Sequence, residues 1–353
     1  MRALVLSGGE GSRLRPITST SAKQLIPIAG TPILFHALAS IRDAGITEVG
    51  IVVGPPNEAE VRAAGGDGSR WGIDVTCIRQ EAPLGLAHAV MTARNFVAGR
   101  PFLMYLGDNV LPEGLTRFVR EFERTGPEAQ IFLARVPEPE RFGVVVLDGE
   151  RVVRLVEKPR EFVSDLALVG VYLFRDSILE ACDTLRPSWR GEYEITEAIQ
   201  WLVDHDRAVR AEMVTGWWKD TGRPGDLLEA NRMMLSLVRP GIDGEVDDAS
   251  TIEGAVSIAE GTKVTRSTIR GPVVIGPDAV IDGSTIGPNV SLERGCRLVG
   301  SSIEDSILME QCTIDHVRGI ASSILGRGVE VRHSGRGGTR RLIVGDRSRV
   351  ELD

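Results

Sequence analysis

Residues Ser7-Gly8-Gly9-Glu10-Gly11-Ser12-Arg13 follow directly on a short apolar run, Ala3-Leu4-Val5-Leu6. Glycine allows backbone angles closed to other residues and lets another group approach the chain closely. A strand that ends in such a loop can wrap exposed N–H groups around phosphate oxygens, with Arg13 adding a two-pronged clamp. Two common phosphate loops are excluded: Leu14 fills the last glycine position of GxGxxG, and no GK[ST] follows. The glycines alone would fit a plain turn equally well. Arg13, Arg15 and Lys23 favour the anion site, because they gather positive charge in a chain of 41 basic and 49 acidic residues with a formal charge of −8.

Only four of the basic residues are lysine: Lys23, Lys158, Lys219 and Lys263. A chain that otherwise uses arginine keeps lysine where a compact point charge on a flexible stem is needed. Two acids also stand out. Asp108 closes the apolar run Phe102–Leu106, at the strand end where open α/β sheets place ligands. Read alone, Asp108 before Asn109 is more often an Asx turn. Asp220 lies in a polar turn after Trp217-Trp218. Glu157 beside Lys158 reads as a surface ion pair as readily as a site. His36, His88 and His205 fall on helical patterns and read as packing or surface residues. Cys77, Cys182, Cys296 and Cys312 are scattered without metal-ligand spacing and read as free thiols.

These residues need a scaffold. Ala3–Leu6, Val49–Val53, Val75–Ile78, Phe102–Leu106 and Ile131–Val136 read as strands, several apolar throughout and therefore buried on both faces. Thr31–Ala44, Leu84–Val97 and Gly114–Arg124 between them carry helical periodicity. The alternation predicts βαβ units. Strands at Gly143–Leu147, Val152–Val156, Leu168–Phe174 and Val209–Val214 follow without a helix between each pair, so the sheet should be mixed, though mostly parallel. Further helices are expected at Glu194–Asp204 and Gly225–Val238.

After Arg239-Pro240-Gly241 the period changes. Apolar residues recur at steps of six, with occasional fives: Ile252, Ile258, Val264, Ile269, Val274, Val280, Ile286, Leu292, Leu298, Ile303, Leu308, Ile314, Ile320, Leu325 and Val331. Gly, Pro, Asp and Asn fill the gaps. That period predicts a parallel β-helix of hexapeptide rungs, four or five coils of about 18 residues each, with a structural or oligomeric role. Expected boundaries are 1–239 for an α/β domain, 250–334 for the β-helix and 335–353 for a basic, glycine-rich tail to which no function attaches.

With 353 residues, 42% hydrophobic and 25% charged, the chain has ample core for two domains. Its acidic balance argues against nucleic acid or an anionic membrane as partner. No run of about 18 apolar residues occurs, and Ala3–Leu6 is too short for a signal-peptide core, so a cytoplasmic protein is expected.

The segments SGGEGSRLRPIT and SAKQLIPIAGTPI resemble the signature of the sugar nucleotidyltransferases. Further matches follow in that family's order: Gln80 with Pro83-Leu84-Gly85-Leu86-Ala87, Leu106-Gly107-Asp108-Asn109, Phe142-Gly143-Val144, Glu157-Lys158-Pro159, Gly170-Val171-Tyr172, Arg190-Gly191-Glu192 and Trp218-Lys219-Asp220-Thr221-Gly222. KQLIP looks most like the thymidylyl-transferring branch, and the trailing repeats resemble its long form. The resemblance implies a Rossmann-like domain followed by a left-handed β-helix, and synthesis of dTDP-glucose and pyrophosphate from dTTP and glucose 1-phosphate. It also implies Mg²⁺ on Asp108 and Asp220, and a homo-oligomer.

Residue by residue, it gives Arg13 to the β- and γ-phosphates, Lys23 to charge at the α-phosphorus, and Lys158 and Arg190 to the sugar phosphate. Leu6, Gly8, Gly9, Gln24, Gln80, Pro83, Gly85 and Asp108 would bind the nucleotide, with the Gln80 amide suited to thymine's N3–H and neighbouring carbonyl. Asn109, Gly143, Glu157, Lys158, Leu168 and Tyr172 would line the sugar pocket. Ser12, Phe142 and Lys219 depart from the family's usual Thr, Tyr and apolar residue. A UTP- or GTP-using transferase remains an alternative. A non-catalytic subunit would be expected to have lost the loop glycines, Arg13 or the aspartates. Acyl transfer by the β-helix would need a base such as His316 or His333, and neither has a recognisable context.

Overall fold

The structure, a computed structural model, describes residues 1–9, 11–333 and 339–352; Glu10 of the opening loop, residues 334–338 and Asp353 lie outside the described residues. The chain divides into two compact units, residues 1–10 with 34–220, and residues 11–33 with 221–353.

The first unit is built from β1 (Arg2–Ser7), α1 (Ile33–Asp43), β2 (Glu48–Val53), α2 (Glu58–Gly65), β3 (Asp74–Arg79), α3 (Leu86–Thr92), β4 (Phe102–Leu106), β5 (Asn109–Val110), α4 (Thr116–Thr125), β6 (Ala129–Arg135), β7 (Gly143–Asp148), β8 (Arg151–Glu157), β9 (Leu166–Phe174), α5 (Ser177–Thr184), α6 (Ile195–Asp204), β10 (Val209–Met213) and β11 (Lys219–Asp220). Nine strands form one sheet in the order β3-β2-β1-β4-β9-β6-β10-β8-β7. β3, β2, β1 and β4 run parallel. Beyond β4 the sheet is mixed: β9 is antiparallel to both β4 and β6, and β10 is parallel to β6. The run β7–β8–β9 lacks the crossover helices that parallel pairing needs, so these strands pair antiparallel.

Chain order reverses at β1: β2 and β3 lie on one side and β4 on the other. This is the switch point at which open α/β sheets leave a crevice beyond the strand ends. The strands around it are buried, with Ala3, Leu4, Val5, Phe102, Leu103 and Met104 fully so. The helix expected over Leu84–Val97 begins only at Leu86, because Gly85 has φ +103°, and it is interrupted at Ala93 before a short piece at Arg94–Val97.

The second unit contains α7 (Pro224–Leu235) and a stack of parallel coils with three faces, of seven, seven and five strands. Equivalent residues align through successive coils, as in Ile258↔Ile275↔Leu292↔Leu308 and Val264↔Ile281↔Leu298↔Ile314. Corner serines form a ladder: the amides of Ser267, Ser284 and Ser301 donate to the hydroxyl of the serine 17 residues earlier, at 3.0–3.1 Å. These coils are therefore 16 or 17 residues long, not 18. Two of the expected inward positions shift by one: Ile275 and Ile281 are buried, while Val274 and Val280 are half-buried. Each lies in an adjacent apolar pair, where a period of six cannot choose between neighbours.

The stack also starts earlier and ends later than 250–334. Gly241–Ile242 pairs into the first coil, and Ile343–Val344 and Arg349–Leu352 continue the last. Residues 11–33 and 221–239, expected with the α/β domain, group with the stack. Asn231 on the buried side of α7 accounts for part of this, since its Oδ1 accepts from the Ala29 amide (2.8 Å) and the Ser291 hydroxyl (3.0 Å).

Cys182, Cys296 and Cys312 are buried, Cys77 is half-buried, and none is disulfide-bonded. Among the described residues no helix is long and apolar enough to cross a membrane.

Candidate active site

In the first unit the expected nucleotide residues gather at the carboxyl ends of β1, β2, β3 and β4. Leu6 aligns with Leu106, and the Gly107 amide donates to the Leu6 carbonyl at 2.9 Å. The turn Gly8-Gly9 therefore leaves the sheet beside Asp108. Asn57 braces the same end: its side chain donates to the Ser7 carbonyl and accepts from the Gly54 amide. The Gln80 amide donates to the Val53 carbonyl at 2.9 Å, which brings its side chain to this rim.

Asp108 is held by its neighbour. Asn109, 2% exposed, donates from Nδ2 to Asp108 Oδ1 at 2.8 Å. Its own Oδ1 accepts the Trp218 indole N–H at 2.6 Å. The Trp218 ring meets Phe142 edge to face, with centroids 5.5 Å apart. Opposite, Asp220 pairs with Asn109 in the short β5–β11 ladder. The ladder thus sets Asp220 opposite the residue that follows Asp108. Among the described residues no cluster of three or more Asp, Glu, His or Cys forms a closed metal cage. A pair of carboxylates suits Mg²⁺, which takes one or two such ligands and completes its shell with water and substrate phosphate.

Gln80 is locked. Its Nε2 donates to the Gly85 carbonyl (3.3 Å) and lies 2.8 Å from His88 Nδ1. With both amide protons so used, the side chain offers its oxygen as an acceptor, matching the N3–H of thymine or uracil and opposing the N3 acceptor of cytosine. Burial lowers the His88 pKa, favouring the neutral ring that can accept this bond. His88, expected as a packing residue, is thus the partner of Gln80. Its position one helical turn into α3 was the available signal.

Several of the residues expected on the sugar side collect around the ends of β7 and β8. Glu157 pairs with Gly143, and the Lys158 amide donates to the Phe142 carbonyl at 3.0 Å. A Cβ on Gly143 would lie 2.6 Å from Thr196 Cγ2, 3.0 Å from Glu157 Oε2 and 3.1 Å from Leu168 Cδ1. Only glycine lets these three side chains meet. Thr196 donates to Glu157 at 3.3 Å. Lys158 Nζ and Arg190 each stand 3.6 Å from Glu157 Oε1, and Arg190 also pairs with Glu192 (2.7 Å) and Glu194 (3.2 Å). Burial, with Glu157 nearby, raises the Glu194 pKa. Tyr172 stacks on Phe174 in the core, and burial beside Glu157 raises its phenol pKa.

Gly85 joins the two groups. A Cβ there would fall 2.5 Å from the Tyr193 carbonyl oxygen and 2.8 Å from its nitrogen. The Tyr193 amide donates to Leu84 (2.7 Å), and its carbonyl accepts from Ala87 (3.1 Å). The loop after Gln80, with Pro83, is therefore sewn to the loop that carries Arg190.

Arg13, Lys23 and Gln24 belong to the second unit. Arg13 is exposed, whereas Lys23 and Gln24 are buried at 7% and 3% exposure. The Gln24 Oε1 is buried without a hydrogen-bond partner among the described residues.

Comparison with known proteins agrees with this construction. The profile of the family described as Nucleotidyl transferase matches residues 2–236. The chain is 49% identical to a glucose-1-phosphate thymidylyltransferase of Streptomyces griseus and 48% identical to one of Streptomyces antibioticus, each over 100% of this chain and 99% of the relative. Among solved structures, a Bacillus anthracis chain assigned to the glucose-1-phosphate thymidylyltransferases, in complex with a sucrose, superposes with a TM-score of 0.63. It is 32% identical and covers 66% of this chain and 94% of its own. With the family profile spanning residues 2–236 and full-length likeness to two of its curated members, the chain belongs to the nucleotidyl transferase family.

Proposed function

We propose that this chain makes dTDP-glucose and pyrophosphate from dTTP and glucose 1-phosphate. The full-length likeness to the two Streptomyces thymidylyltransferases carries this reading. A phosphate oxygen of the sugar phosphate forms a bond to the α-phosphorus of dTTP. The bond from that phosphorus to the bridging oxygen breaks, and its electron pair leaves with pyrophosphate. Such transfers ask the protein for positioning and charge, with little covalent work.

Arg13 holds the β- and γ-phosphates, and Lys23 meets charge developing at the α-phosphorus. Gly8, Gly9, Leu6, Gln24, Pro83 and Gly85 seat the nucleotide, and Gln80 reads its N3–H. Lys158 and Arg190 bind the sugar phosphate, while Glu157, Asn109, Gly143, Leu168 and Tyr172 form the sugar side. Asp108 and Asp220 would hold Mg²⁺, which when bound neutralises charge between the two polyanions. The coil stack is a left-handed β-helix, and the protein acts in the cytoplasm as a homo-oligomer.

A UTP-using transferase is the second reading, favoured by the Gln80 lock itself, which is blind to the thymine methyl. That methyl contributes only about 1 kcal/mol. Pyrophosphate release is the test, with each nucleoside triphosphate against glucose, mannose and N-acetylglucosamine 1-phosphates. Preference for GTP with mannose 1-phosphate overturns the proposal. Asp108→Asn and Asp220→Asn should each abolish Mg²⁺-dependent turnover with the fold intact, and near-normal rates in either place the metal elsewhere.

A further inference from the structure

We infer that the last turns of the coil stack position the triphosphate-binding segment: Arg327, Gly345 and Asp346 seat residues 16–21, and through them Arg13 and Lys23. The inference rests on the roles proposed above for Arg13 and Lys23.

All of these residues lie in the second unit. Thr20 Oγ1 donates to Asp346 Oδ2 at 2.6 Å. Arg327 Nη1 donates to the Ser21 hydroxyl at 2.8 Å. One carboxylate ties both contacts together, since Asp346 Oδ1 accepts the Arg327 amide at 2.8 Å. Backbone also meets backbone: a Cβ on Gly345 would come within 2.9 Å of the Pro16 carbonyl oxygen, so only glycine permits the approach.

The seated residues are continuous with the charged ones. Ser21 is two residues before Lys23, and both are buried. On the other side, Thr18 Oγ1 donates to the Gly11 carbonyl at 2.7 Å, closing the turn that contains Arg13. Arg13 itself is exposed and has no ion-pair partner among the described residues. A long cation on a short irregular segment cannot fix its own place; here the segment is pinned at Pro16, Thr20 and Ser21 by a rigid stack. Positional errors of about 1 Å at reacting groups cost on the order of a hundredfold in rate. The tail thus acquires a task, as a positioning element.

The test uses the full-length protein, with pyrophosphate release measured at saturating glucose 1-phosphate and varied dTTP. Thr20→Val, Ser21→Ala and Asp346→Ala should each lower kcat/KM for dTTP about tenfold. Thr20 is exposed, so Thr20→Val should keep the wild-type melting temperature and carries the test if Asp346→Ala fails to fold. In an Arg13→Ala/Lys23→Ala background, Thr20→Val should have no further effect on the residual rate, because it acts through those two groups. Arg266→Ala, on the outer face of the stack, should leave kinetics unchanged. Full activity of Thr20→Val and Ser21→Ala beside an inactive Lys23→Ala overturns the inference and leaves the function standing. Losses that multiply in the Arg13→Ala/Lys23→Ala background also overturn it. If Arg13→Ala and Lys23→Ala are themselves fully active, the roles proposed for Arg13 and Lys23 fail, and the inference with them.

Discussion

Trp218 and Asn109, 109 residues apart in sequence, share one hydrogen bond: the indole N–H donates to the amide oxygen at 2.6 Å. That bond fixes which end of the Asn109 amide faces Asp108, so the carboxylate receives an N–H and not an opposing oxygen. Residues that orient a metal ligand in this way commonly contribute 10- to 100-fold. Trp218→Phe keeps the packing against Phe142 and removes only the donor. Turnover should fall about tenfold or more, with a raised Mg²⁺ requirement, measured by titrating the rate with metal.

With Gln80 in the base-reading role proposed for it, base choice should depend on His88, a residue with no proposed contact to the nucleotide. His88→Phe frees the Gln80 amide to turn over, and the preference for dTTP over dCTP in kcat/KM should drop about tenfold. Protonating Nδ1 would have the same effect. Because burial holds the His88 pKa below its ordinary value, the preference should be full at pH 8 and decline only in more acid solution than an ordinary histidine would require. The ratio of the two kcat/KM values against pH is the measurement.

Gly143 has no spare volume on its sugar side. Gly143→Ala places a methyl 2.6 Å from Thr196 Cγ2, so Thr196 or β7 must shift. The KM for glucose 1-phosphate should rise about tenfold or more while the KM for dTTP changes little. Adding Thr196→Ser, which deletes the clashing methyl, should recover part of the loss.

Glu293 in the coil stack titrates unusually. Burial, with Glu310 close by, pushes its carboxyl up to about 7. A raised folded-state value means that stability is fully present below the unfolded carboxylate pKa and is lost as pH rises through 7. Glu293→Gln removes that loss. The variant should be more stable than wild type at pH 8 by about 3 kcal/mol, with most of the gap closed by pH 5. Thermal unfolding at the two pH values reads it out.

Much of this was legible in the residues. The strand–helix alternation gave β1 to β4, because continuous apolar runs and helical periodicity differ in local spacing. Asp108 and the glycine turn fell at strand ends for the same reason. What escaped depended on contacts distant in sequence. His88 has an ordinary helical position, and only the fold brings Gln80 to it. Val274 and Val280 were chosen over Ile275 and Ile281 because adjacent apolar residues look alike to a six-residue period. The grouping of residues 11–33 with the coils rests on Asp346, Arg327 and Asn231. Their partners lie 326, 306 and 202 residues away.

Gly85 turns two loops into one moving part. The loop proposed to meet the base and the loop proposed to meet the sugar phosphate are packed together, since the backbone of Tyr193 occupies the space a side chain at Gly85 would need. Whichever substrate arrives first stiffens the seam for both. The second then binds to a seat already set and bears less of the ordering entropy, so this protein should hold its two substrates together more tightly than it holds either alone.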